Sequence, residues 1–102
     1  MENSKKSVTV PTLSLNGSDG KRLQEELEKS ARAIQVALGA LQETAPHGRD
    51  YRNEDELYQA VREYRDRMHR LVSIRSEIAS CWEGIQEQIK AKKSANKSVD
   101  NK

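Results

Sequence analysis

The second half of the chain carries the pattern that most restricts its fold. Leu57, Val61, Tyr64, Met68, Leu71, Arg75, Ile78, Trp82, Ile85 and Ile89 follow one another at alternating steps of four and three. That is the a/d register of a helix with one apolar seam. A strand cannot use such a repeat, because its side chains change face at every residue. The spacing predicts a helix over about residues 53–91. Asn53, with Glu56 three positions later, reads as a capping box at its start. Glu63–Arg67 and Asp66–Arg70 are placed to pair at i, i+4 on the outer faces. Arg75 is the one break in the seam. An arginine there must snorkel, pair with an acidic residue across the hairpin, specify register or oligomer state, or meet an anion.

A second helix is expected over about 18–45. Leu27, Ala31, Ile34, Leu38, Leu41 and Ala45 form its apolar stripe, and Pro46 stops it. Ala33, Ala37, Ala40 and Thr44 make a neighbouring stripe of small residues, which suits the close approach of another helix. Gly39 costs about 1 kcal/mol relative to Ala in an exposed helix interior, so it belongs where a partner comes near. Residues 46–52 are the connecting loop. Upstream, Val8-Thr-Val-Pro-Thr-Leu-Ser-Leu15 alternates apolar and polar around Pro11, as an edge strand or strap does. The turn Asn16-Gly-Ser-Asp-Gly20 offers Ser18 or Asp19 as an N-cap.

The expected fold class is therefore all-α: an antiparallel, coiled-coil-like two-helix hairpin with an extended N-terminal strap, assembled as an oligomeric bundle. Its parts are an arm over 1–17, the hairpin over 18–91 and a disordered basic tail over 92–102. At about 1.5 Å per residue the helices span roughly 40 and 55 Å. The longer one should overhang, carrying Trp82, Ile85 and Ile89 beyond its partner. Either the strap or a second copy must cover them, and the single seam of a hairpin favours the second copy. Ala33, Ala37, Ala40, Arg75, Trp82, Ile85 and Ile89 are the expected oligomer interface.

Composition narrows the function. The chain has 102 residues, 34% hydrophobic and 33% charged, with Tyr51, Tyr58, Tyr64 and Trp82 as its aromatics. A chain this small and polar buries little core. Cys81 alone can form no internal disulfide and supplies no zinc framework; it reads as a structural thiol near the seam. No metal or other cofactor is expected. The start Met1-Glu-Asn-Ser-Lys-Lys is polar and there is no membrane-length apolar run, so a cytoplasmic location is expected. Net charge is +2, with lysines 90, 92, 93, 97 and 102 gathered in the tail and a mildly acidic middle. Nucleic-acid contact is expected only as weak tail binding. Arg62, Arg65, Arg67 and Arg70 read as a salt-bridged, solvated face, with His69 solvated beside them. No nucleophile elbow, phosphate loop or zinc-protease motif is present. An enzyme is not expected, and no catalytic residue is assigned.

Two turns remain as candidate ligand sites. Asn16, Gly17 and Ser18 open the first helix, where free backbone N–H groups and the helix dipole attract anions. His47, Gly48, Arg49 and Tyr51 bring a guanidinium fork and an aromatic face into the connecting loop. A self-capped turn and an Arg49–Asp50 bridge would explain the same residues without a ligand. In one hairpin the two turns lie at opposite ends; in an antiparallel dimer they would form composite sites between chains.

The run Val8-Thr-Val-Pro-Thr-Leu-Ser-Leu-Asn-Gly-Ser18, followed by Ala45-Pro-His-Gly-Arg-Asp-Tyr51 and the heptad helix, resembles a family of small helical-hairpin proteins encoded in tailed-phage genomes. The likeness extends over about residues 8–89. Ser18 stands where that family usually has Thr, His47 where it has Asn, and Arg52 where it has a second Tyr. The resemblance implies a phage source, hence action in the host cytoplasm on host factors or host defence. The leading expectation is a non-enzymatic, oligomeric binding protein that sequesters a small anionic, nucleotide-like ligand. The alternatives are a helical protein–protein inhibitor or adaptor of a host factor, and a coiled-coil assembly protein.

Overall fold

The computed structural model describes residues 8–13 and 18–100. The fold is all-α: helix α1 spans Ser18–Gln42, a single 3-10 turn covers Gly48–Asp50, and helix α2 spans Glu54–Asp100. The chain divides into two compact units. The first, the strap unit, comprises Met1–Ala31 and Glu77–Lys102; the second, the loop unit, is Arg32–Ser76. Within each unit α1 and α2 pack against one another antiparallel, as a hairpin does.

In the strap unit every step along α1 is matched by a step backwards along α2. A Cβ on Gly20 would lie 3.2 Å from Ile89 Cδ1, Gln24 bonds Gln86, and Glu28 bonds Trp82. The first turn of α1 is thus level with Ile89. The expected overhang at Trp82, Ile85 and Ile89 does not exist, because helix lengths alone do not fix which ends coincide.

Residues 8–13 run over this pair of helices as a third layer. Gln88 holds them with both ends of its amide: Oε1 accepts from the Leu13 N–H at 3.0 Å, and Nε2 donates to the Pro11 carbonyl at 2.8 Å. One side chain thus supplies the donor and acceptor that a neighbouring strand would supply, and it makes no demand on the missing Pro11 N–H. Glycines let the strap approach. A Cβ on Gly84 would sit 2.7 Å from Val10 Cγ2, and one on Gly20 would sit 2.9 Å from Leu13 Cδ1. Gly84 is therefore a contact point of the strap. Leu13 is buried and Ile85 has no exposed surface at all.

In the loop unit the inward stripe is the expected one, with Ile34 and Leu41 half-buried and Leu38 buried. Gln35 stands opposite Arg75, whose Nη1 donates to Gln35 Oε1. Carried on in the same register, α1 ends at Gln42 level with about Met68. The first turns of α2 consequently have the connector beside them instead of a helix. Ala45 and Pro46 are half-buried, and a Cβ on Gly48 would lie 3.7 Å from Leu57 Cδ2.

The helix ends have local causes. α1 stops at Gln42, short of residue 45, because the backbone tightens: the Glu43, Thr44 and Ala45 N–H groups donate to carbonyls three residues back, and Thr44 Oγ1 donates to the Leu41 carbonyl. At the start of α2 the Glu56 N–H donates to Asn53 Oδ1 at 2.9 Å, while Glu56 Oε1 accepts from the Arg52 N–H. That is the expected capping box, reaching one residue further back. α1 begins at Ser18 itself, so Asp19 lies inside the first turn, where its charge suits the dipole, rather than at the cap. Ser14, Leu15, Asn16 and Gly17 lie outside the described residues, as do residues 1–7 of the expected arm. α2 runs on to Asp100, well past 91, so the tail expected to be disordered from 92 is helical to that point. No Gly or Pro follows Gly84, and Ala and Lys are good helix formers. None of the described helices is long and apolar enough to cross a membrane.

Candidate functional site

A groove of the strap unit lies between α1 and α2, with a volume of about 290 Å³. Leu27 and Ala31 from α1, and Ile78, Ala79 and Trp82 from α2, form its apolar walls; Glu28 and Glu83 form its polar edge. Its floor is the hairpin seam, and its width comes from Ala31 and Ala79, where larger side chains would close it. Trp82 is half-buried. Its ring is oriented by Nε1–H donating to Glu28 Oε2 at 2.8 Å, so one carboxylate both holds the indole and marks the edge.

A polar pair underlies the groove. Gln24 is only 5% exposed. Its Nε2 donates to Gln86 Oε1 at 2.9 Å and to the Trp82 carbonyl at 3.4 Å. Burying an amide is tolerable only when it is bonded. A slip of one turn would break this pair, so it specifies the register that sets Trp82 opposite Glu28. Cys81 faces the strap, half-buried, with Sγ 3.9 Å from the Thr9 carbonyl.

The connector in the loop unit is open by comparison. The Asp50 and Tyr51 N–H groups donate to the His47 and Gly48 carbonyls, closing the 3-10 turn. His47, Gly48, Arg49 and Tyr51 are all exposed. Among the described residues Arg49 has no ion-pair partner, Asp50 included. Asn16 and Gly17, the other part of the expected composite site, lie outside the described residues.

The remaining sequence candidates divide. Ala33, Ala37 and Ala40 are exposed, and Ile89 is half-buried. Ile85, expected at an oligomer interface, has no exposed surface within the single chain and so none left for a second copy. Arg75 meets a neutral amide, not an acidic residue. On the outer faces Arg70 pairs with Asp66 at 2.9 Å and Arg67 with Glu63 at 3.9 Å, as their spacing requires, and His69 is exposed. Among the described residues no three His, Cys, Asp or Glu side chains gather as metal ligands would.

Sequence reasoning passed over Gln24, Gln86, Gln88, Glu28 and Glu83. Gln24 was within reach: one step back from Leu27 the α1 stripe arrives at it. Comparison with protein-family models, curated proteins and solved structures finds no match to this chain.

Proposed function

We propose that this chain is a non-enzymatic binding module that takes an apolar helix with basic flanks, presented by a partner protein, into the groove of the strap unit. The observation that carries this reading is the groove itself: apolar walls around Trp82, with carboxylates as its only charged edge. A third helix laid between two antiparallel ones buries its apolar face there. Tryptophan in such a setting is a typical energetic anchor. The volume lies at the bottom of the range for small-molecule pockets, about 300–1,000 Å³, and suits one or two side chains of a partner. Glu28 and Glu83 would repel a phosphate and attract lysine or arginine. The resemblance of Leu15–Gly17 and Ala45–Tyr51 to small tailed-phage proteins supports a host protein as the target, and hence an inhibitor or adaptor.

Trp82 is the sole tryptophan, so its emission reads the groove directly. Titrating a synthetic Leu/Lys amphipathic helical peptide should shift that emission to the blue with a Kd of about 10 µM or tighter. Glu83→Lys should weaken the binding, and Ala79→Met should fill the groove and abolish it while circular dichroism stays unchanged. An emission unaltered by saturating peptide would contradict the reading.

The exposed connector supports a second reading, capture of a small anionic ligand such as a nucleotide. Arg49 is free of ion pairs among the described residues and has Tyr51 two positions on. A nucleotide that raises the melting temperature of the unaltered chain but not of Arg49→Ala would favour it over the groove.

A further inference from the structure

We propose that α1 pairs with α1 of a second copy through the face that carries Arg32, Val36, Gly39 and Glu43. These residues recur at steps of four, three and four, on the opposite side of the helix from the stripe of Ile34, Leu38 and Leu41 that faces α2. All four are exposed, and Val36 is 73% exposed. Beyond its chain neighbours and its own turn of helix backbone, a Cβ built on Gly39 would meet nothing within 4 Å. The helix therefore carries the roughly 1 kcal/mol disadvantage of a mid-helix glycine with no contact inside the chain to explain it.

The order of the four residues makes the face self-complementary when turned end for end. Set antiparallel about a two-fold axis between residues 37 and 38, Val36 of one copy lies over Gly39 of the other. Arg32 then meets Glu43, and each contact occurs twice by symmetry. Neither Arg32 nor Glu43 has an ion-pair partner among the described residues. Ala40, beside Val36, keeps the approach close. In a parallel pairing like charges would meet at both ends, so the charges select the antiparallel arrangement. The occupant is thus a second copy of this chain, and the face lies within the loop unit, separate from the groove.

The test is sedimentation velocity over about 5–200 µM, a range that brackets a micromolar Kd. The unaltered chain should show a monomer–dimer equilibrium. Val36→Arg should weaken it tenfold or more, and Arg32→Glu should do the same. The double charge reversal Arg32→Glu with Glu43→Arg restores every cross-pair and should return the constant to within about threefold of its original value, a small change on the affinity scale. Circular dichroism on each variant separates loss of pairing from loss of helix. A chain that stays monomeric throughout overturns the proposal, as does a dimer indifferent to Val36→Arg or a charge reversal that fails to rescue. A dimer of that indifferent kind would be assigned to another face.

Discussion

The strap unit and the loop unit are built from stretches of the same two helices, yet they differ in how much they seal. In the strap unit a six-residue segment, 8–13, lies across the pair, and Ile85 has no exposed surface. In the loop unit the helices have only the connector for company. Leu38 is the one large apolar side chain buried there, and Val36, Tyr58, Val72 and Ile74 are well exposed. A two-helix hairpin offers one seam, and a seam becomes a core only where a third element covers it. Gln88 and two glycines are what make the third element possible in one unit. Nothing comparable follows the connector in the other.

The largest effect should come from breaking the sealed side. Ile85→Ala removes a side chain with no exposed surface and should lower stability by about 2–5 kcal/mol in urea unfolding. Val36→Ala in the other unit, measured on dilute protein, should change it by no more than about 0.5 kcal/mol. Equal losses would erase the distinction between the units.

The two mid-helix glycines sharpen the comparison, because the same substitution should have opposite signs. At Gly84 an added methyl runs into Val10, and overpacking of about 1–3 kcal/mol outweighs the helix-propensity gain. The expected result is a net loss, with release of the strap seen as faster exchange of the Leu13 amide. At Gly39 no described atom opposes the methyl, and Gly39→Ala should raise the melting temperature of the dilute chain by the equivalent of about 0.5–1 kcal/mol. Gly84→Ala stabilising the protein would mean that the strap contributes little.

The smallest effect concerns Arg75. Its partner is the neutral Gln35, so no buried charge is orphaned when it is replaced. Arg75→Leu completes the apolar seam and should leave the melting temperature unchanged or slightly higher. A loss of about 3 kcal/mol would mean an indispensable buried polar contact.

Much of this asymmetry was legible at the level of single helices. The alternating seam of α2, the stripe of α1, the Asn53–Glu56 cap and the i, i+4 pairs follow from local spacing, and local spacing is what a sequence displays. The register between the helices did not. It depends on Gln24 meeting Gln86 and on Gly20 admitting Ile89, contacts between residues far apart in the chain that leave no periodic trace. For that reason the residues expected to overhang, Trp82, Ile85 and Ile89, lie instead beside α1, and the start of α2, near Leu57, is one place where α2 runs past it. The extension to Asp100 is not legible because Ser, Asn and Lys read as a disordered composition, although no residue there stops a helix. Of the groove, Trp82 stood out in the sequence, but as an interface residue. Glu28 and Glu83 looked like ordinary outer-face charges until the register set them on either side of Ala31 and Ala79.

Hydrogen exchange read residue by residue along α2, on protein dilute enough to be monomeric, tests the central contrast most directly. Amides around Ile85 and Gln86, in the stretch of α2 that meets both α1 and the strap, should exchange only through global unfolding. Those from Leu57 to Tyr64, beside the connector alone, should open at least tenfold more often through local fraying. Uniform protection from one end of α2 to the other would contradict the account, because it would show that the strap seals nothing the hairpin had not already sealed.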